Sequence, residues 1–90
     1  MDIAVNFRVT GHVQGVAFRA WTRGQAEAAG LRGWVRNETD GSVTGHLEGP
    51  EADVEALVTQ LFSGPGAARV QDVTHRRVPA EGLEGFEVRR

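Results

Sequence analysis

Residues 3–30 read IAVNFRVTGHVQGVAFRAWTRGQAEAAG, and within this stretch the spacing of the apolar residues changes once. Apolar side chains first occupy every second position, at Ile3, Val5, Phe7 and Val9, which is typical of a strand with one buried face. Beyond Gly11 the spacing becomes helical, with the predicted inner face formed by Phe18, Trp21, Gln25, Ala28 and Ala29. The stretch therefore predicts a strand, a glycine-containing loop and a helix that ends at Gly30.

The next part of the chain predicts two antiparallel strands and a second helix. Short alternating patterns at Arg32–Asn37 and Ser42–Glu48 flank Glu38–Gly41, whose Asp-Gly pair is a strong hairpin signal. A helix is expected to begin after Gly49-Pro50 and to end at Gly64–Gly66. Its predicted apolar stripe consists of Val54, Leu57, Val58, Leu61 and Phe62.

Two further strand candidates complete the pattern. Val70–Val78 is rich in β-branched residues but alternates poorly, which indicates a strand interrupted by a bulge. Glu84–Arg89 is a second candidate near the end of the sequence. The order β-α-β-β-α-β predicts an α+β fold of the split β-α-β type, in which two helices cover one face of an antiparallel sheet.

Composition limits what this chain can do. Its 90 residues, 40% of them hydrophobic, suit a single domain spanning 1–90, and the absence of cysteine excludes disulfides, thiol nucleophiles and cysteine-ligated metals. A formal charge of -2 gives no broad positive field for nucleic acid. Neither a signal peptide nor a membrane-spanning stretch is recognisable, so we expect a cytoplasmic protein that binds no membrane. We also expect a monomer that binds no nucleic acid.

The loop between the first strand and the first helix is the candidate anion site. Gly11 and Gly15 permit tight turns and a close approach of the backbone to a ligand, and the loop leads into a helix N-terminus with unpaired N–H groups. The spacing and lysine of a Walker loop are missing, which argues against use of a nucleoside triphosphate. The loop alone is also consistent with a simple connection between two elements.

Two motifs resemble the signatures of the acylphosphatase family. The first is Gly-x-Val-Gln-Gly-Val-x-Phe-Arg at residues 11–19, and the second is Gly-Trp-Val-Arg-Asn at residues 33–37, followed by Gly41, Val43 and Gly49. The resemblance covers essentially the whole chain and neither motif departs from the family pattern. It implies a ferredoxin-like fold and hydrolysis of small acyl phosphates to a carboxylate and inorganic phosphate.

Carried over by position, the resemblance also implies the roles of individual residues. Arg19 and Asn37 would be the catalytic residues, with Arg19 on the phosphoryl group and Asn37 orienting the attacking water. The phosphate-binding residues would be Gln14, Gly15, Val16, Ala17, Phe18 and Arg19. No cofactor and no metal are expected, and the histidines His12, His46 and His75 lack the spacing of metal ligands.

Other interpretations of these residues remain open at the level of sequence. Without the motif, Arg19 is consistent with a solvated helix-face arginine such as Arg23, and Asn37 with the end of a strand. A noncatalytic ferredoxin-like module that binds RNA or a small effector is a second class of function, disfavoured by the negative charge and by a first strand poor in aromatic residues. A third is an acylphosphatase-like unit that serves carbamoyl-phosphate chemistry within a larger assembly.

Overall fold

The computed structural model describes residues 1–90, which form five strands and two helices. In chain order these are β1 (Asp2–His12), α1 (Phe18–Ala28), β2 (Arg32–Asn37), β3 (Val43–Pro50), α2 (Glu51–Leu61), β4 (Arg69–Arg77) and β5 (Phe86–Arg89). The element order predicted from the sequence is therefore confirmed, and both strand candidates near the end of the sequence are present. Neither helix is long and apolar enough to cross a membrane.

The strands form one sheet in the order β4-β1-β3-β2-β5. Strand β1 lies between β3 and β4 and pairs antiparallel with both, and β2 pairs antiparallel with β3. Strand β5 pairs parallel with β2, so the sheet is mixed rather than wholly antiparallel as the sequence predicted. The reason is that the β4–β5 connection crosses the sheet to its opposite edge instead of turning back in a hairpin. The fold is ferredoxin-like with this fifth strand added.

Two local features, a bulge in β4 and the turn between β2 and β3, lie where the sequence predicted them. The register between β1 and β4 shifts so that Thr10 faces Asp72 while Gly11 faces Val70, which leaves Gln71 as the extra residue of a bulge. The β2–β3 turn closes through a bond from the Gly41 N–H to the Glu38 carbonyl at 3.3 Å.

Both helices pack on the same face of the sheet, with α1 over β2 and β5 and α2 over β1 and β3. The core between the layers includes the odd-numbered apolar residues of β1 that the period-two pattern identified. Four of the five residues predicted for the α2 stripe are buried, whereas Phe62 follows the last helical turn and is 53% exposed.

The inner face of α1 differs from the predicted one. Phe18, Thr22 and Ala26 are buried, whereas Ala28 and Ala29 are exposed. Thr22 can enter the core because its hydroxyl donates to the Phe18 carbonyl at 2.8 Å, which satisfies the polar group within the helix.

Candidate active site

The β1–α1 loop presents a row of backbone donors. Gly15 and Ala17 adopt left-handed conformations with φ values of 72° and 63°, and Ala17 caps α1 without a side-chain bond. The backbone N–H groups of residues 14–20 donate to no acceptor within the protein. Successive N–H groups around left-handed residues, next to the positive end of a helix dipole, are a favourable arrangement for an anion. The unpaired N–H groups therefore make this loop chemically suited to an anion.

Arg19 occupies the second position of α1 and is half-buried. Its Nη1 donates to the main-chain carbonyl of Arg89 in β5 at 2.9 Å, which fixes the direction of the guanidinium. A guanidinium has five N–H donors, so this bond leaves further donors for a ligand. Strand β5 therefore fixes the position of the Arg19 guanidinium, which follows the β1–α1 loop in the chain.

Asn37 is the last residue of β2 and pairs across the hairpin with Val43. The structure brings its side chain together with Arg19 along one surface depression of about 640 Å³, whose other lining residues are Val88 and Arg90. Arg19 is the residue that the depression shares with the loop motif, while Gln14–Phe18 precede it in the chain and do not line the depression. The two residues that the motifs nominated separately therefore face the same space.

Sequence reasoning did not identify Val88 and Arg90 as site residues. They reach the depression because β5 pairs in parallel with β2, so that Val88 lies opposite Val35. Only a prediction of that long-range parallel pairing could have placed them there. The alternation of Phe86 and Val88 in the sequence indicated a strand but not its neighbour.

The Gln14 side chain connects the loop to the β2–β3 turn. Its Nε2 donates to the carbonyl of Glu38 at 2.7 Å and to the carbonyl of Ser42 at 2.9 Å. The sequence motif assigned Gln14 only to the row of backbone donors, so this use of its side chain was missed. The loop and the hairpin that ends at Asn37 are directly joined.

Acidic groups in the turn are held in their charged form. Hydrogen bonds from the hydroxyl and backbone N–H of Ser42 lower the pKa of Asp40, and hydrogen bonds from Thr44 and then Arg36 lower the pKa of Glu38. Asp40 also pairs with Arg8. Because both carboxyl groups are ionised at neutral pH, neither is suited to donate a proton there.

Two buried polar residues of β3, His46 and Glu48, lie on the face of the sheet opposite the helices. His46 and Glu48 are 0% and 1% exposed, and the His46 ring bonds to Glu48 Oε2 at 2.7 Å and to Asn6 Oδ1 at 2.7 Å. Glu48 also accepts from the backbone N–H groups of Glu81 and Leu83. This network fastens the segment at residues 78–85 over the sheet.

The histidines form no metal-ligand cluster. His12 and His75 are exposed, His46 is occupied by the buried network, and the chain contains no group of three or more His, Cys, Asp or Glu side chains arranged to hold a metal. The donors around the depression are instead guanidinium, carboxamide and backbone N–H groups. They bind anions and water rather than cations.

Comparison with known proteins identifies relatives along almost the whole chain. The Acylphosphatase family model matches residues 5–88, which include both sequence motifs. Acylphosphatases of Rhizobium meliloti and Haloarcula marismortui are 49% and 51% identical over 84 and 81 residues, covering 92% and 90% of this chain and 88% and 89% of those proteins. The crystal structure of acylphosphatase from Bacillus subtilis, 32% identical, matches with a TM-score of 0.95 and covers 100% of both chains.

Proposed function

The chain belongs to the acylphosphatase family and has that family's enzymatic activity, and we propose that it uses Arg19 and Asn37 to hydrolyse small acyl phosphates. The observation that carries the proposal is that both side chains line one depression beside a row of unpaired backbone N–H groups. The products are a carboxylate and inorganic phosphate. Each role follows from the chemistry of the group concerned.

The phosphoryl group is held by the loop and by Arg19. The N–H groups from Gln14 to Arg19 point their partial positive charge at the nonbridging oxygens, and the guanidinium adds a full charge and a bidentate donor pair. In the loose transition state the charge is spread over these three oxygens as they become coplanar, and preorganised donors stabilise that arrangement. Arg19 is suited to this because its bond to the Arg89 carbonyl already fixes its orientation.

The leaving group requires little help. A carboxylate is a weak base with an ordinary pKa of about 4, so its oxygen can depart without a general acid. The charged Glu38 and Asp40 in the neighbouring turn would be poor acids in any case, since hydrogen bonds lower the pKa of each. Catalysis then consists mainly of positioning and charge stabilisation.

Asn37 is assigned to the water. Its carbonyl oxygen can accept a hydrogen bond from the nucleophile, and its NH₂ group can donate elsewhere. A carboxamide is too weak a base to deprotonate water, so Asn37 aligns the attack while an oxygen of the bound phosphate takes the proton. Its position at the end of β2 attaches this side chain to a rigid part of the backbone.

The alternative of a noncatalytic RNA-binding module finds little support on the face of the sheet opposite the helices. Trp34, the aromatic residue there, is overlaid by the guanidinium groups of Arg36 and Arg89 at 5.0 and 4.7 Å from its ring centre. The network of His46 and Glu48 fastens another segment across the same face. A stacking platform needs open aromatic rings. We propose that the protein binds no nucleic acid.

We further propose that residues 1–90 act as one domain and as a monomer in the cytoplasm. One core connects both helices with the sheet, which supports a single domain. The edge strand β4 carries a bulge and the exposed cations Arg69, Arg76 and Arg77, features that discourage pairing with a second copy. Charged acyl phosphates cross a bilayer poorly, which supports placing the enzyme with the reactions that form them.

The test is phosphate release from acetyl phosphate, with ATP and p-nitrophenyl phosphate as comparison substrates. We expect rapid release from acetyl phosphate alone, because ADP and p-nitrophenolate are more basic leaving groups than acetate and the charged Glu38 and Asp40 offer them no proton. The same rate is expected after exhaustive treatment with a chelator, since the proposed charge stabilisation comes from Arg19 and the loop. Comparable rates on all three substrates, or loss of activity that magnesium restores, would contradict the proposal.

A further inference from the structure

The side chain of Gln14 makes two hydrogen bonds that the proposed chemistry does not itself require. Its Nε2 reaches the carbonyl oxygens of Glu38 and Ser42 at 2.7 and 2.9 Å. Both partners are acceptors only, so the nitrogen end of the carboxamide must face them. The two hydrogens of one NH₂ group thus join the anion-binding loop to both sides of the β2–β3 turn.

The two acceptors flank the proposed water-orienting residue. Glu38 directly follows Asn37, Ser42 directly precedes Val43, and Asn37 and Val43 are paired across the hairpin. Gln14 therefore holds the hairpin at the point where Asn37 leaves the sheet. No other side-chain hydrogen bond joins the loop at residues 13–17 to this turn.

The turn itself is well fixed, so the bonds from Gln14 can fix the position of the β1–α1 loop relative to the turn. Asp40 Oδ1 accepts from the Ser42 N–H at 3.0 Å and from the Ser42 hydroxyl at 2.6 Å. The Glu38 N–H donates to the Ser42 carbonyl at 2.8 Å, and Ser42 is only 3% exposed. A shift of Gln14 would therefore move the loop relative to Asn37 rather than deform the turn.

We propose that Gln14 is a positioning residue whose side chain sets the separation between the phosphate-binding N–H groups and Asn37. The inference rests on the proposed function, because it assumes that the loop holds phosphate and that Asn37 directs the water. In-line attack requires both to be aligned, and a misplacement of about 1 Å costs on the order of a hundredfold in rate. Phosphate binding by the backbone does not depend on this alignment.

Two substitutions remove the connection and keep the backbone N–H of residue 14. Gln14→Met preserves length without a donor, and Gln14→Glu preserves shape but faces two carbonyl oxygens with a carboxylate. We expect each to lower kcat for acetyl phosphate by about tenfold or more. The inhibition constant of inorganic phosphate should change by less than about threefold, because the N–H row and Arg19 remain. Equal losses in kcat and in phosphate inhibition would overturn the proposal.

A double-mutant cycle tests whether Gln14 acts through Asn37. The Asn37→Ala substitution already removes the alignment of the water that Gln14 supports. In that background Gln14→Met should therefore lower kcat by less than about twofold. If Asn37→Ala alone has wild-type turnover, the proposed role of Asn37 fails and the role of Gln14 fails with it. If Asn37→Ala is impaired and Gln14→Met costs the same in both backgrounds, only the inference about Gln14 fails.

Protonation provides a second readout that a structural role would not produce. A glutamate becomes a hydrogen-bond donor when it is protonated, near a pKa of about 4.3 or above when it faces carbonyl oxygens. The kcat of Gln14→Glu relative to Gln14→Met should therefore rise as the pH falls toward 4.5. A constant ratio across pH would count against the proposal.

Loss of stability is separated from loss of alignment by a control elsewhere in the sheet. Asn6→Leu removes the hydrogen bond to His46 on the far face, at a cost in stability of about 1–3 kcal/mol. It should lower Tm at least as much as Gln14→Met and leave kcat within about twofold. If Asn6→Leu lowered kcat as much as Gln14→Met, the effect of Gln14 would be a general consequence of destabilisation.

Discussion

Two loops of this protein contain backbone N–H groups that are not used in helices or strands, and these groups have different partners. In the β4–β5 segment, the N–H groups of Glu81 and Leu83 donate to the Glu48 carboxylate, which the chain supplies itself. In the β1–α1 loop, the N–H groups of residues 14–20 have no acceptor within the protein. Where the fold itself provides a carboxylate, backbone N–H groups fasten a loop to it. Where the fold provides no acceptor, the same kind of donor is left available for a ligand.

Burial explains why each loop tolerates its arrangement. Glu48 is buried, so a missing partner there would leave a charge or an N–H group unsatisfied at a cost of several kcal/mol. Gly15 and Ala17 are exposed, so water can hydrate their N–H groups when no anion is bound. Substitutions in the two regions should therefore affect different properties, with activity changing in one and stability in the other.

The largest effect is expected from Arg19, the side chain that adds full charge to the open row of donors. Arg19→Gln should lower kcat/KM for acetyl phosphate by about a thousandfold or more, and should weaken inhibition by inorganic phosphate in parallel. Arg19→Lys restores a charge but not the planar pair of donors, so it should remain severely impaired. Steady-state kinetics and phosphate inhibition measure both. Full activity of the lysine variant would show that charge alone suffices.

The next largest effect is expected from Asn37, whose proposed role is to orient the water without adding charge. Asn37→Ala should lower kcat by about a hundredfold, because the attacking water loses its alignment. The inhibition constant of inorganic phosphate should stay within about threefold of wild type, since the loop and Arg19 are unchanged. The reverse pattern, with weak phosphate binding and normal turnover at saturation, would contradict the division of roles.

A matched pair of glycines tests the comparison between the loops directly. Gly15 and Gly82 have φ values of 72° and 74°, and a Cβ on either would meet no atom within 4 Å. Valine should strain both positions by about 1–3 kcal/mol through the backbone alone. Gly15→Val is expected to weaken phosphate inhibition by about tenfold, because the strain turns N–H groups away from the anion. Gly82→Val should lower Tm but leave phosphate inhibition unchanged; weakened inhibition in both variants would remove the distinction.

The smallest effect on activity is expected at Glu48. Burial alone raises the pKa of this carboxyl, but hydrogen bonds from the Glu81 N–H, His46 and the Leu83 N–H outweigh it, so the pKa lies below its ordinary value of 4.5. The charged form therefore stabilises the folded state above that pH, and the contribution is lost as the pH falls from about 4.5 through the folded pKa. The titratable groups that face this carboxyl are His46 and, through His46, Glu81.

Glu48→Gln should lower the free energy of unfolding at pH 7 by about 1–3 kcal/mol and flatten its dependence on pH below 4.5. Urea unfolding across pH measures both changes. Turnover at pH 7 should stay within about threefold of wild type, because the network lies on the face of the sheet away from Arg19. An unchanged pH profile of stability would mean that the Glu48 carboxylate does not contribute in this way.

Local patterns were sufficient to predict the elements of the fold. The period-two run of β1, the Asp-Gly turn and the apolar stripe of α2 depend on near neighbours in the chain. The structure confirms them except for Phe62, which follows the end of α2 and is exposed. The parallel pairing of β5 with β2 depends on a long crossing segment, which no local pattern records. The burial of Thr22 was missed for a related reason, since its hydroxyl is satisfied only once the helix exists.

The candidate site was predictable to the extent that motifs record it. The motifs nominated Arg19 and Asn37, the structure brings both to one depression, and their catalytic roles stay predictions. The contributions of Val88 and Arg90 and the bonds of the Gln14 side chain arise from tertiary contacts. Hydrophobic periodicity contains no information about such contacts, because it describes burial and not partners.

The bond between Arg19 and the carbonyl of Arg89 links positions 70 residues apart. Closing a chain segment of that length costs about 4 kcal/mol in entropy, which only the completed packing of the fifth strand offsets. A chain with β1, α1, β2 and β3 in place would already contain the loop, the turn and Asn37. Its Arg19 guanidinium would lack the bond to the Arg89 carbonyl and would not be fixed in orientation. The orientation of the guanidinium therefore depends on the fifth strand being in place.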